Sequence, residues 1–184
     1  MPKRKAIKNL GASVRTRLAT LSKTSGQPFD ILLTRFAIER LLFRLANSRH
    51  AERFVLKGAM LLMTWLPDPH RATRDLDLLG FGDPSPDAML QVFREILAVQ
   101  VDDGVTFDVN VLRIDRIREQ LDYGGLRLRG TATIGGAIVR LVVDIGFGDA
   151  VEPGVTDIDY PVLLDFPGPR LKAYAPETVI AEKF

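Results

Sequence analysis

The sequence predicts an α/β domain of the α+β type, with a sheet and flanking helices, and three observations support this prediction. First, the chain has 184 residues, of which 46% are hydrophobic and 26% charged, which suits one domain with a buried core. Second, residues 29–46 repeat apolar side chains with the period of a helix. Third, residues 105–111 alternate apolar and polar side chains, and two apolar runs flank Gly135-Gly136, as the strands of a hairpin do.

Residues 1–28 are predicted to form a basic arm. No acidic residue precedes Asp30, whereas seven Lys and Arg residues do. No apolar segment follows these basic residues, and no run in the chain approaches the roughly 18 apolar residues of a membrane span, so neither a signal peptide nor a membrane anchor is expected. Two interpretations of the arm stay open: it lies along a phosphate backbone, or it only solubilises the terminus.

The first core helix is predicted over residues 29–46. Its wide apolar side faces the core, and Arg40 and Arg44 are predicted to lie on the opposite, polar side. After a polar break, the apolar stretch from Ala59 to Leu66 predicts a second helix that is short and buried. Trp65 in this stretch is expected to be a core residue rather than a platform for base stacking.

Strands and one further helix are predicted to follow. The stretch from Thr73 to Leu79 predicts a strand that ends at glycines, and the alternation over residues 105–111 predicts another. Between them, a helix is predicted to begin at Pro86 with Ser85 as its N-cap. Beyond residue 153 the chain is expected to be loop-like, apart from two extended pieces, Tyr160–Leu164 and Arg170–Tyr174.

The hairpin around Gly135-Gly136 has a register that the turn itself predicts. If Ile134 pairs with Ala137 across a two-residue turn, Arg127 lies opposite Asp144. One face of the hairpin is then polar and the other apolar. The polar face is either a site or a solvent-exposed strip held by an ordinary cross-strand ion pair, and the spacing does not distinguish these alternatives.

The acidic residues of the predicted strands indicate a metal site. Asp75 and Asp77 point to the same face of their strand, roughly 6.6 Å apart along the chain, and a hard cation such as Mg²⁺ relieves the repulsion between such carboxylates. The alternative is a solvated surface pair. Asp144 offers a third carboxylate, which we rank above Asp108 because it lies in a longer buried run. Two metal ions bridged by three carboxylates are the working parts of nucleotidyl transfer.

Lysine usage points to candidate phosphate-binding residues. After residue 29 the chain contains 15 Arg and only 3 Lys, which are Lys57, Lys172 and Lys183. Lysine offers a compact point charge for a phosphate where a generic cation is insufficient. Lys57 precedes Gly58 at the start of a predicted helix, where the ammonium group and free backbone N–H groups can receive a triphosphate. The alternative is that three lysines survived by chance.

Four separated motifs resemble the AbiEii/AbiGii toxin family, nucleotidyltransferase-like toxins of bacterial type IV toxin–antitoxin systems. In chain order the motifs are FVLKGAMLL at residues 54–62, RATRDLDL at residues 71–78, VDIGFGD at residues 143–149 and KAYAPETVIAEK at residues 172–183. The resemblance spans Phe54 to the C-terminus and adds little to the N-terminal helices.

The resemblance implies a polymerase-β-like nucleotidyltransferase fold, a mixed sheet with flanking helices, over residues 29–175. It further implies a C-terminal helical lobe, of which residues 176–184 would be the truncated start. The implied activity is that of a cytoplasmic enzyme that uses Mg²⁺ and a nucleoside triphosphate to add nucleotides to RNA, with the tRNA acceptor end as a target class and a cognate antitoxin protein as partner. The alternatives are the same chemistry on a protein or small molecule, or a non-catalytic fragment that binds a partner protein.

The resemblance also assigns roles to individual residues. Asp75 and Asp77 match the metal-binding pair, and Asp144 matches the third acidic motif. The positions that it places near the nucleotide are Lys57, Gly58, Thr73, Arg74 and Lys183. Of these, the two lysines are expected to bind the triphosphate as part of the catalytic site. The chain departs from the family in having Ala59 where a second glycine is common, and in ending before the family's further Asp motif.

Overall fold

The computed structural model describes residues 9–65, 73–117, 124–148 and 154–176. Within these ranges the α-helices are α1 (Leu10–Ser25), α2 (Phe29–Ala46), α3 (Leu62–Trp65) and α4 (Pro86–Leu97). The strands are β1 (Phe54–Lys57), β2 (Asp75–Gly80), β3 (Val105–Phe107), β4 (Arg113–Ile117), β5 (Gly125–Ile134), β6 (Ala137–Phe147), β7 (Val155–Asp159) and β8 (Arg170–Tyr174). None of the helices in these ranges is both long and apolar enough to cross a membrane.

The strands form one mixed sheet, as the resemblance implies. Its order is β3-β5-β6-β2-β1-β8-β7, and β4 pairs with β5 beside β3. Strand β2 runs parallel to β6, and β1 runs parallel to β8, while the other neighbours are antiparallel. The centre of the sheet is therefore formed by β6, β2 and β1, which carry three of the four sequence motifs.

The two faces of the sheet differ in burial because successive side chains of a strand point to opposite sides. Helix α2 contacts α1, α4 and strand β6, while α1 contacts β5 and α4 contacts β4, and residues of all three helices belong to the core. The buried residues of β2, β5 and β6 on this side are Leu76, Leu78, Leu126, Leu128, Ala132, Ile134, Val139, Leu141, Val143 and Ile145. On the opposite face these strands carry polar and exposed side chains, such as Arg129 and Arg140, so a polar sheet face stays open to solvent.

The predicted hairpin register is confirmed. Ile134 pairs with Ala137, and Arg127 lies opposite Asp144. Both turn glycines have positive φ, 53° for Gly135 and 82° for Gly136. Two consecutive positive φ angles are what a two-residue hairpin turn requires, and glycine adopts them without steric cost.

Helix α2 has the predicted bounds, but the prediction for its arginines is wrong. Arg40 is 0% exposed and Arg44 is 3% exposed. Arg44 donates to both carboxylate oxygens of Asp103, at 2.7 and 3.1 Å, and Arg40 donates to the carbonyl oxygen of Pro167 at 2.7 Å. A buried charge is tolerated when it is paired and hydrogen-bonded, which is the case on this side of α2.

The sequence predicted a basic arm over residues 1–28 and did not predict the N-terminal helix. Helix α1 lies inside that stretch, and its Val14 and Leu18 are fully buried. Its first turn passes very close to the hairpin turn, because a Cβ on Gly11 would lie 2.9 Å from the backbone nitrogen of Gly135. Residues 10–25 thus pack on the sheet. Before α1, the described part of the chain contains residue 9 alone.

Three further predictions are corrected around the second helix and the following strand. Residues 54–57 form a strand, and the stretch after it is a 3-10 turn at Ala59–Leu61 followed by the single turn of α3. Trp65 is 37% exposed and is not a core residue. The strand predicted over residues 105–111 ends at Phe107, because a turn follows.

The remaining differences concern short elements. Strand β4 was not predicted, and the first extended piece near the C-terminus is β7 at residues 155–159 rather than residues 160–164, whereas β8 has the predicted bounds. Helix α4 begins at Pro86 as predicted, but the Ser85 side chain makes no cap hydrogen bond. The helix predicted from residue 176 lies outside the described residues after its first position.

Candidate functional site

The three predicted acidic residues lie on the same face of two adjacent strands. In the parallel pair of β2 and β6, Asp77 is the register partner of Asp144, and Asp75 is the partner of Val142. Because Asp75 and Asp77 are two residues apart, their side chains point to the side on which Asp144 lies. This is the open, polar face of the sheet. The structure places the three carboxylates on one face of two neighbouring strands, and their role as metal ligands stays a prediction.

The competing acid, Asp108, is elsewhere. It follows β3, which β5 and β6 separate from β2 in the sheet. Its carboxylate accepts a hydrogen bond from the backbone N–H of Asn110 at 3.0 Å, in a turn. Asp108 is therefore a turn residue, and the choice of Asp144 as the third member of the group agrees with the geometry.

Lys57 and Gly58 adjoin the acidic residues at the end of β1. Lys57 is the register partner of Asp77 in the antiparallel pair of β1 and β2, so its side chain shares the polar face. Its Nζ atom lies 5.9 Å from the centre of the Tyr174 ring. Gly58 has φ 73°, and a Cβ at this position would lie 2.1 Å from Oδ2 of Asp77. Any larger residue would displace that carboxylate, so the glycine is required both for its backbone angle and for space.

Arg127 is a site residue that the sequence analysis did not assign. Its Nε donates to Oδ1 of Asp144 at 2.7 Å, and its Nη2 donates to Oδ2 at 2.6 Å. The hydrogen bonds and charge of Asp144 raise the pKa of Arg127 above its ordinary value, and the charges of Asp75 and Asp77 raise it further. The predicted pairing of Arg127 with Asp144 was the available signal, but an ordinary cross-strand ion pair gives the same signal.

Arg74 and Thr73 lie at the start of β2, beside a groove. Nη2 of Arg74 donates to Oδ2 of Asp30 on α2 at 2.6 Å, and both side chains are largely exposed. The groove has a volume of about 340 Å³ and runs between the start of α2 and strands β2 and β6. Asp75 and Arg140 both line it. Lys183, the other predicted triphosphate ligand, lies outside the described residues.

A second, larger cavity lies away from the acidic residues. It has a volume of about 480 Å³ and is lined by the start of α1, the hairpin turn and the loop between α4 and β3. None of the predicted site residues lines it. Its size therefore does not make it the better candidate, because Arg74 and Asp75, two of the predicted site residues, line the smaller cavity.

The donor set fits Mg²⁺ by its chemistry, although Arg127 occupies part of it. Carboxylate oxygens are the ligands that Mg²⁺ prefers, and Gly58 leaves space beside Oδ2 of Asp77 where a Cβ would otherwise lie. Both oxygens of Asp144 are bonded to Arg127, and no group of three metal-ligating side chains in the described ranges is placed to hold one ion. Asp75, Asp77 and Asp144 are the residues that would hold the ion.

Comparisons with known proteins agree on the fold. JHP933 from Helicobacter pylori has a solved structure with a TM-score of 0.51 and 18% identity, and the match covers 83% of this chain and 55% of that one. A protein of H. pylori described as a nucleotidyltransferase gives a TM-score of 0.51 and 17% identity, covering 83% and 57%. This chain thus spans little more than half the length of either structure. At these identities the likeness shows the fold alone.

Sequence comparison gives the family. A search of curated proteins finds no match. Residues 40–184 match the family model described as nucleotidyl transferase AbiEii toxin, type IV toxin–antitoxin system. The match covers β1, β2 and β6, and so includes every residue of the acidic cluster together with Lys57 and Gly58. The chain therefore belongs to the AbiEii family of nucleotidyl transferase toxins.

Proposed function

We propose that this chain carries the catalytic site of a metal-dependent nucleotidyltransferase toxin, which transfers nucleotides from a nucleoside triphosphate to RNA, with the tRNA acceptor end as the target. The observation that carries the proposal is the shared face of Asp75, Asp77 and Asp144 on adjacent parallel strands, next to Lys57 and Gly58. The groups proposed to bind the cation and the phosphates thus lie on neighbouring strands.

Each group has a distinct task in this proposal. Asp75 and Asp77, with Asp144, would hold Mg²⁺, which when bound stabilises negative charge on the phosphorus oxygens and on the departing pyrophosphate. Lys57 would bind the triphosphate as a point charge. Gly58 lets the backbone approach the reacting groups, because it has no side chain to fill the space beside Asp77. Lys183 is proposed as a second triphosphate ligand from the family resemblance.

The groove beside Asp75 supports an acceptor that carries phosphates. Arg140 is exposed on β6 and lines the groove, and Arg74 lies at its α2 side. Guanidinium groups bind phosphate oxygens well, often through two hydrogen bonds. An RNA end in this groove would bring its terminal hydroxyl group to the carboxylates. Such phosphate contacts make binding depend on salt, as is general for nucleic-acid complexes.

Incubation with Mg²⁺, each labelled triphosphate and total RNA tests this proposal. The full chain is expected to label RNA, and Asp75→Ala is expected to reduce labelling by at least about 100-fold. Asp115→Ala is the matched control, because Asp115 is an exposed carboxylate on β4 of the same sheet that lies outside the cluster. Labelling of added protein instead of RNA would change the acceptor. Equal labelling by wild type and Asp75→Ala would refute the assignment.

The family also supports a cognate antitoxin protein as partner and the cytoplasm as the site of action. Growth arrest on expression of the chain, relieved by a co-expressed antitoxin, is the expected behaviour. Thr73 directly precedes Arg74 beside the groove, and we propose its hydroxyl group as the position that an antitoxin modifies. Mass spectrometry of the co-expressed chain tests this, and an unmodified Thr73 in silenced protein would contradict it.

A further inference from the structure

The acidic cluster holds a cation that belongs to the protein itself. Three carboxylates on one sheet face repel each other, and nearby positive charges relieve this repulsion. Lys57 lies beside Asp77, and Arg127 lies beside Asp144 on the neighbouring strand β5, with both of its hydrogen bonds directed at Asp144. The cluster is therefore partly neutralised before any ligand binds.

The position of Arg127 conflicts with the binding of a metal ion at Asp144. A carboxylate whose two oxygens both accept hydrogen bonds from one guanidinium has its ligand positions toward that side occupied. A divalent cation bound at Asp144 and the positively charged guanidinium of Arg127 would also repel each other.

The pair is partly buried, and water reaches both of its side chains. The Arg127 side chain is 37% exposed and that of Asp144 is 23% exposed. Exposed ion pairs contribute little free energy because water solvates both partners when they separate. A divalent cation can therefore replace the guanidinium without a large cost in stability, and the freed side chain can extend into solvent.

We infer that Arg127 is a resident counter-cation that competes with the divalent metal ion for Asp144. It holds the acidic cluster together in the metal-free protein and leaves Asp144 when the ion binds. This inference rests on the proposed function, since it assumes that the ion binds at these acids. It adds that metal affinity is limited by the chain's own arginine.

Titration with Mn²⁺ alone, with free ion measured by electron paramagnetic resonance, tests the inference without nucleotide or activity. Mn²⁺ is a suitable probe because carboxylate ligands bind it in the way they bind Mg²⁺. Arg127→Ala is expected to bind Mn²⁺ about tenfold more tightly than wild type, because the competitor is removed. Arg127→Lys is expected to lie between them, since lysine keeps the charge but not the paired hydrogen bonds.

Two controls separate competition at Asp144 from a general charge effect. Arg129→Ala removes the next arginine on the same face of β5, whose partner is Asp115, and is expected to leave the Mn²⁺ affinity within about twofold of wild type. In an Asp144→Asn background, the gain from Arg127→Ala is expected to vanish. Melting temperatures within about 4 °C of wild type show that the variants fold.

The possible outcomes decide between the inference and the proposed function. Equal Mn²⁺ affinity for wild type and Arg127→Ala, with binding that Asp77→Asn abolishes, overturns the role of Arg127 and keeps the metal site. A gain for Arg129→Ala as large as that for Arg127→Ala also overturns it. If neither wild type nor Arg127→Ala binds Mn²⁺, the acids are not a metal site, and both the inference and the proposed metal-dependent chemistry fail.

Discussion

Two arginine–aspartate pairs, each joined by two hydrogen bonds, lie in different environments of this molecule. In the core, Arg44 bonds both oxygens of Asp103, and the two side chains are 4% and 0% exposed. On the open sheet face, Arg127 bonds both oxygens of Asp144, with several times the exposure. An arginine–aspartate pair therefore stabilises the fold when water is excluded. When water reaches the pair, another cation can replace the arginine.

The buried pair has a further feature that the exposed pair lacks. Asp103 also lies 4.0 Å from Nε of Arg40, so one carboxylate faces two buried guanidinium groups. Burial lowers the pKa of Arg40, and the charge of Asp103 opposes that shift. Among the described residues, Nε and Nη1 of Arg40 and Nε of Arg44 have no hydrogen-bond partner. The carboxylate of Asp103 is therefore indispensable to this part of the core.

The largest expected effect is the loss of the buried carboxylate. Asp103→Asn should lower the free energy of unfolding by about 3–5 kcal/mol, because it leaves two buried arginines without a counter-charge. For a chain of this size the melting temperature should fall by roughly 10 °C. Calorimetry measures this, with Asp144→Asn as the matched variant. An equal fall for both variants would contradict the claim that the buried pair contributes more to stability than the pair of Arg127 and Asp144.

The second effect concerns Glu39, a buried acid. Burial raises its pKa by more than its partner Arg35 lowers it. Burial raises the pKa of Glu39 to about 7, against the opposing effects of the Leu163 backbone N–H and of Arg35. The folded chain therefore binds a proton that the unfolded chain releases between pH 4.5 and 7, so stability is greatest below this window and is lost as pH rises through it.

Glu39→Gln tests this pH dependence. The free energy of unfolding of the wild type should fall between pH 5 and pH 8, by an amount on the order of 3 kcal/mol that the variant does not show. Urea titrations at the two pH values measure the difference. The same slope in both proteins would mean that Arg35 keeps the buried carboxylate ionised.

The third effect separates function from stability at the exposed pair. Asp144→Asn should reduce nucleotide transfer by about 100-fold, equivalent to about 2.7 kcal/mol in the barrier, because a predicted metal ligand is lost. Its free energy of unfolding should change by no more than about 1 kcal/mol, since water reaches both side chains of the pair with Arg127. Labelled-nucleotide transfer and urea unfolding are measured on the same preparation. Unchanged transfer would remove Asp144 from the site.

The smallest effect is expected at the neighbouring exposed pair of Arg129 and Asp115. Arg129→Ala should change the free energy of unfolding by less than about 1 kcal/mol, because the two side chains are 51% and 62% exposed. Transfer should be unaffected. A loss of nucleotide transfer in this variant would show that the site includes Arg129 in addition to the acidic cluster.

Much of the central fold could be predicted because local patterns specify it. The helical period of the sequence predicted both ends of α2 correctly. The two glycines with positive φ fix the register of β5 and β6, which places Arg127 opposite Asp144. Strands β1 and β4 were missed because four or five residues show too little periodicity, and their pairing depends on distant strands.

The misplacement of Arg40 and Arg44 has a similar cause. Polarity assigned them to solvent, whereas their partner Asp103 is about 60 residues away in the chain and is brought near only by the tertiary fold. For the site, the spacing of Asp75 and Asp77 and the order of the motifs indicated the acids. The role proposed for Arg127 needed the exposure of its pair and the registry of β2 with β6, which no sequence pattern contains.

The most direct test of the account is the Mg²⁺ dependence of triphosphate binding, measured by calorimetry with each of the four nucleoside triphosphates on wild type and Asp77→Asn. The account predicts that wild type binds at least one triphosphate when Mg²⁺ is present, and that Asp77→Asn, although folded, loses at least about tenfold in affinity. Equal affinity of the two proteins, or binding that is the same with and without Mg²⁺, would contradict the claim that these acids form a metal–nucleotide site.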